Sequence, residues 1–277
     1  MIARSHSKRR TSIAVCLLVF ATLAVPRATQ ASPDDLYEPW ARVLKNYVDE
    51  EGLVDYSGLS TQGREQLQTF MQKIATINPA VLPSDMDRIA FWINAYNALI
   101  LWQAIERYPL ESVKDVGVLF GLIGGFFKKR YPIAGRTLHA DDIEHATLRR
   151  NYPDSRIHWA LVCAAFACPR LIRQPYSASN LDDVLTERTH EFLSKNRALQ
   201  LDEANRTLYL SRYFDWYSEE FEAESGDVIG YILRYVPAEM ATAIRRQQDN
   251  LRIRFIDYDW TLNDQAKGPR AARPINK

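Results

Sequence analysis

Residues 83–107 read PSDMDRIAFWINAYNALILWQAIER, and this stretch decides the fold class. Pro83-Ser84-Asp85-Met86-Asp87 is a helix start, with Ser84 placed as N-cap and Asp87 three residues further on. The helix it opens runs to about Arg107, where Tyr108-Pro109 ends it. Between these limits Ile89, Phe91, Trp92, Ile93, Tyr96, Leu99, Ile100, Leu101 and Trp102 leave no polar face. A helix that is apolar all round must be buried, so this one lies at the centre of the fold.

The rest of the chain supplies what surrounds it. Asp35 to Val48 carries a helical stripe of Leu36, Trp40, Val43, Leu44 and Tyr47, and Ser60 to Ile77 repeats it with Leu67, Phe70, Met71 and Ile74. A glycine-rich apolar loop, Gly117 to Phe127, lacks the Lys-Ser/Thr of a phosphate-binding loop. Tyr131 to Leu138 reads as a strand broken by Gly135, and His139 to Arg150 as a short helix with Asp141, Asp142 and Glu144 in its first turns. Arg156 to Cys163 (RIHWALVC) alternates like a strand. Leu181 to Phe192, Arg212 to Phe221 and Ile229 to Arg246 read as amphipathic helices, and Thr207 to Leu210 and Leu251 to Asp257 as strands. Helices predominate and the strands cluster in the middle and at the end. The expected class is therefore α+β, a helix-rich single domain around a small antiparallel sheet.

The first 31 residues stand apart. Arg4, Lys8, Arg9 and Arg10 form a basic start, Ser12 to Val25 is almost wholly apolar, and Thr29-Gln30-Ala31 places small residues at the exit. The apolar run is shorter than the roughly 20 residues of a membrane-spanning helix. These are the parts of a secretory signal, so cleavage after Ala31 and a periplasmic or secreted protein are expected. Removing the segment takes five of the 35 basic residues and leaves 30 against 34 acidic ones, a formal charge of −4. A mildly acidic domain, residues 32–267, followed by a loose tail at 268–277, is a poor partner for nucleic acid. No later segment reaches membrane-spanning length.

After cleavage two cysteines remain, Cys163 and Cys168, in CAAFACP. In an oxidising compartment they read as a disulfide, worth about 2 kcal/mol for so short a loop by the chain-entropy relation. The alternative is that one is a nucleophile, which needs an imidazole to generate the thiolate and a third group to orient it. Among His139, His145, His158 and His190, two lie near enough in sequence to matter. His158 precedes Cys163 by five residues, which in a regular strand puts the two on opposite faces. His145 has Asp141 one turn before it as a partner, with Glu144 beside it about 100° around the helix. The plain reading of that acidic turn is compensation of the helix dipole. Asn94 and Asn97 lie one turn apart on the apolar helix, where a buried amide must be hydrogen-bonded, either to neighbouring backbone or toward a developing oxyanion. With no CxxC or HxxxH, no metal or other cofactor is expected. Asp215-Trp216-Tyr217 and Asp257-Tyr258-Asp259-Trp260 read as aromatic packing with carboxylates accepting Trp or Tyr donors.

Five blocks together are familiar: Phe91 to Leu99, Asp141 to His145 before Leu148-Arg149, Ile157 to Cys163 continuing to Cys168-Pro169, Phe214 to Tyr217, and Tyr258 to Asn263. Over about residues 40–263 they resemble the family known as domain of unknown function 547, whose bacterial members are typically exported. The resemblance implies a fold comparable with papain-like and transglutaminase-like cysteine hydrolases and a Cys-His-Glu set. On matching positions that set is Cys163, His145 or His158, and Glu144. In those enzymes the nucleophile usually starts a buried helix, whereas here the comparable helix offers Asn94. Two functions are thus expected to compete. One is an exported cysteine-dependent hydrolase acting on a peptide or other amide. The other is a non-catalytic periplasmic binding or structural protein with a Cys163–Cys168 disulfide.

Overall fold

Ser84 closes a reciprocal capping box with Asp87. The Asp87 amide donates to the Ser84 hydroxyl and the Ser84 amide to the Asp87 carboxylate, both at 3.1 Å. It opens α4, Asp85–Ile105, whose side chains from Ala90 to Leu101 are all buried. The structure is a computed structural model describing residues 33–115 and 125–268. The expected signal segment, most of the glycine-rich loop and the end of the tail lie outside the described residues.

Around α4, in chain order, come α1 (Pro33–Tyr47), α2 (Tyr56–Thr61) and α3 (Arg64–Thr76), which pack on one another and on the central helix. The short α5 (Gly125–Lys128) leads into a hairpin of β1 (Tyr131–Ile133) and β2 (Arg136–Leu138). Its turn residues Ala134 and Gly135 sit at φ +56° and +69°, the left-handed pair that a two-residue hairpin turn requires. A specific contact holds Ala134 in that conformation. Its amide and that of Gly135 donate to the carbonyls of Ile74 and Ala75, both at 2.8 Å, satisfying the open end of α3.

The second half builds its own core. Helix α6 (Leu181–Leu193) is followed by β3 (Leu199–Asp202), β4 (Thr207–Leu210), α7 (Tyr213–Trp216), α8 (Ser218–Ser225), α9 (Val228–Tyr235), α10 (Ala238–Gln247) and β5 (Arg252–Phe255). Strand β3 pairs antiparallel with β4, and β5 returns parallel to β4 after the four-helix crossover, so the three-stranded sheet is mixed rather than purely antiparallel. Trp159 sits at the heart of this half, its ring 4.6 Å from that of Phe192 and its indole N–H 2.9 Å from the Tyr231 hydroxyl. The α+β expectation stands.

Several elements differ from the sequence reading, each for a local reason. The apparent strand at Arg156 to Cys163 is a 3₁₀ turn, Ser155–Trp159, followed by irregular backbone. Asp154 caps that turn by accepting from the Arg156 amide at 3.0 Å, and burial from Ile157 to Val162 is continuous rather than alternating. The single helix expected over Arg212 to Phe221 is broken at Tyr217, and that over Ile229 to Arg246 at Pro237, which cannot continue α9. The helix expected at His139 to Arg150 is wound as a π-helix over Asp142–Arg149.

Candidate functional site

A cavity of about 230 Å³ opens between the π-helix, the Ser155–Trp159 turn with the loop after it, α7 with Tyr217, and the C-terminal segment. Cys163, Glu144, His145 and His158, all four candidate residues, line it together with Asp141. Residues the sequence reading had set aside as packing, Trp216, Tyr217, Tyr258 and Trp260, form the wall with Tyr96, Phe127 and Tyr213. Among the described residues that line it there is no lysine or arginine.

The π-helix aims the acidic turn. Its wide winding bonds backbone positions five residues apart, and the Thr147 hydroxyl adds a bond to the Asp142 carbonyl at 3.0 Å. Glu144 faces inward, 9% exposed, while His145 faces outward. The Glu144 carboxylate accepts from the Tyr217 hydroxyl at 2.7 Å and from the Tyr96 hydroxyl at 3.1 Å. Burial pushes the ionisation of both phenols far above the ordinary tyrosine range, and the neighbouring Glu144 charge adds to it. Both therefore remain neutral donors at any physiological pH. Asp141 does not hold His145 as the spacing suggested. It pairs with Lys128, and the His145 Nδ1 accepts from Arg149.

His158 is buried and has a carboxylate that sequence spacing did not identify. Its Nε2 lies 2.8 Å from Glu220 on α8, which also pairs with Arg149. Burial alone would raise the Glu220 carboxyl, but the hydrogen bonds from His158 and Arg149 outweigh it and hold the group down at about 2. The imidazole stacks on the Tyr217 ring at 4.1 Å, and Arg149 lies 4.6 Å from the same ring. No sequence signal could have named Glu220, which is 62 residues from His158 and is brought to it by the packing of Phe221 against Trp159.

Cys163 and Cys168 are joined as a disulfide. The Tyr258 hydroxyl lies 3.1 Å from the Cys163 sulfur and 3.2 Å from that of Cys168, with the Tyr213 hydroxyl 3.5 Å from the latter. The neighbours of the sulfurs are thus phenols. The loop is fixed from both sides. Behind it, Asn97 donates to the Ala160 carbonyl at 2.9 Å and accepts from the Val162 amide at 3.0 Å. In front, the Phe166 and Ala167 amides donate to the Thr261 and Asp259 carbonyls. Asn94 is equally committed, accepting from the Trp40 indole and the Tyr176 amide and donating to the Tyr176 carbonyl. Both buried amides serve as bridges to backbone, the plainer of the two expectations. At the cavity it is Glu144 that accepts tyrosine donors, whereas Asp215 pairs with Arg212.

A second cavity, of about 250 Å³, is lined by Arg170, Arg173 and Arg188 against Asp49, Glu50 and Glu187, and holds none of the candidate residues. Among the described residues no group of three or more His, Cys, Asp or Glu side chains is arranged to hold a metal ion, and no helix is long and apolar enough to cross a membrane.

No curated protein and no solved structure matches the chain. The Phe214–Tyr217 and Tyr258–Asn263 blocks, which complete the cavity wall, lie outside the one stretch that a family model covers. That stretch, residues 82–193, holds α4, the π-helix, His158 and the Cys163–Cys168 loop, and it matches the model of the family described as "Protein of unknown function, DUF547".

Proposed function

We propose that this is an exported ligand-binding protein of the cell envelope, whose aromatic cavity receives a peptide side chain or a molecule of similar size. Cys163–Cys168 would be a structural disulfide in the cavity wall. One observation carries this reading: the two sulfurs are bonded to each other and flanked by tyrosine hydroxyls, beside a cavity lined mostly by aromatic rings, with Glu144 as its buried carboxylate. Concave, mostly apolar sites with a few fixed polar groups are the usual form of a ligand pocket. The volume lies below the roughly 300 Å³ at which such pockets typically begin, which favours a small headgroup or a single side chain. Export is supported by the N-terminal residue pattern and by the disulfide, since such bonds persist outside reducing compartments.

A second reading, the cysteine hydrolase, is favoured by His158, whose Nε2 is held by Glu220 and whose Nδ1 would be left for proton transfer. In it, reduction would free the Cys163 thiol and Glu220 would take the orienting role that the sequence pattern gave to Glu144.

The ligand-binding reading is tested by following the tryptophan indole signals of the full chain by NMR, with small neutral, anionic and cationic fragments added in turn. At least one class is expected to shift the Trp216 and Trp260 signals together, because both rings line the cavity, while the buried Trp40 stays fixed. If no class moves the two wall signals, the reading is wrong.

A further inference from the structure

Of the carboxylates around the cavity, Asp141 is paired with Lys128, and Glu220 with Arg149 and His158. Glu144 differs. It is more than nine-tenths buried, both oxygens are engaged by phenol O–H groups, and among the described residues no cationic side chain forms an ion pair with it. Two neutral donors satisfy its hydrogen bonding but leave its charge uncompensated, and a buried charge without a counter-charge is costly. Among the described residues, the groups that line the cavity include no lysine or arginine to repel a cation or attract an anion.

The walls match the same conclusion. The rings of Trp216, Tyr258 and Trp260 form one cluster, with centroids 4.4 to 5.9 Å apart. Aromatic faces carry negative potential and attract cations placed within about 6 Å of the ring centre. Rings of this wall already take cations from residues outside the cavity lining: the Lys114 ammonium lies 5.0 Å from the Trp260 ring and Arg149 lies over Tyr217. Trp216 is 44% exposed, so the cluster also meets solvent.

We infer that the cavity selects a small organic cation of the alkylammonium class, with Glu144 as its counter-charge and the contiguous Trp216–Tyr258–Trp260 surface as its aromatic wall. The inference rests on the ligand-binding reading above and specifies the ligand. Anionic and purely apolar ligands would leave Glu144 uncompensated, and the first would add repulsion.

The test compares choline with 3,3-dimethylbutan-1-ol, its uncharged carbon isostere, on the full chain by the same indole signals. Choline should bind at least about tenfold more tightly than the isostere. Glu144→Gln should remove most of choline's advantage over the isostere, and Trp216→Ala should weaken choline several-fold. Equal affinity of the two compounds for the wild type overturns the cation assignment while leaving the cavity as a ligand site. No shift with either compound overturns the assignment as well, and if the wider fragment set is also silent, the ligand-binding reading falls with it. The wild-type comparison decides even where Glu144→Gln does not fold.

Discussion

Trp159→Ala is expected to destabilise the protein by about 3–5 kcal/mol, the range for removing a fully buried aromatic side chain. The ring is 0% exposed and stacks on Phe192 and Phe221, with Tyr213 and Phe214 packed at its edges. It anchors the core of the second half of the chain. Because it directly follows His158, its loss should also loosen the turn that aims that imidazole at Glu220. Thermal and denaturant unfolding check the first effect, with a fall in melting temperature of roughly 10 °C for a chain this long. Trp159→Phe keeps one ring in the stack but loses the indole N–H bond to Tyr231 and part of the ring volume, so it should cost about 2 kcal/mol. Similar losses in both variants would mean that ring packing is not what holds this core.

Asn97→Ala is the second large effect. The side chain closes a two-bond clamp on the backbone of Ala160 and Val162, and it is 1% exposed, so no water is at hand to replace it. Its removal strands one buried carbonyl and one buried N–H, each costing about 1–3 kcal/mol, for an expected total of roughly 2–6 kcal/mol. The clamp lies one residue before Cys163, so the variant should also slacken the loop that carries the disulfide into the cavity wall. Hydrogen exchange at the Val162 amide reads this directly. Protection there that is unchanged in Asn97→Ala would show that the clamp is dispensable.

The sequence was legible where burial has a simple period. Residues 83–107 revealed the central helix, its cap and its burial, because a helix apolar on every side has one place to go. The candidate residues around Asp141 to Cys163 were also recognisable as a group, and the fold does bring Cys163, Glu144, His145 and His158 to one cavity. What failed was conformation within that group. Alternation in RIHWALVC imitates a strand, yet the backbone donors and acceptors of the segment are taken by Asp154, Asn97 and neighbouring turns instead of a sheet. A regular α-helix would put Asp141 and His145 on one face, whereas here Asp141 and His145 turn to Lys128 and Arg149. Glu220 and the tyrosines that hold Glu144 and flank the sulfurs come from distant segments, and their pairing is set by packing of two cores that no local pattern encodes.

The sulfurs of Cys163 and Cys168 are either bonded to each other or free, and a tryptic map made without reductant reads which. The peptide Ile157–Arg170 contains both Cys163 and Cys168 with no cleavage site between them. When the full chain is purified from the cell envelope, unfolded and treated with iodoacetamide, that peptide is expected to emerge unalkylated and lighter than its reduced form by two hydrogens. A peptide carrying two alkyl groups, with Cys163 reacting faster than an ordinary thiol in the folded protein and losing that advantage in His158→Gln, would contradict the account and leave a nucleophile in its place.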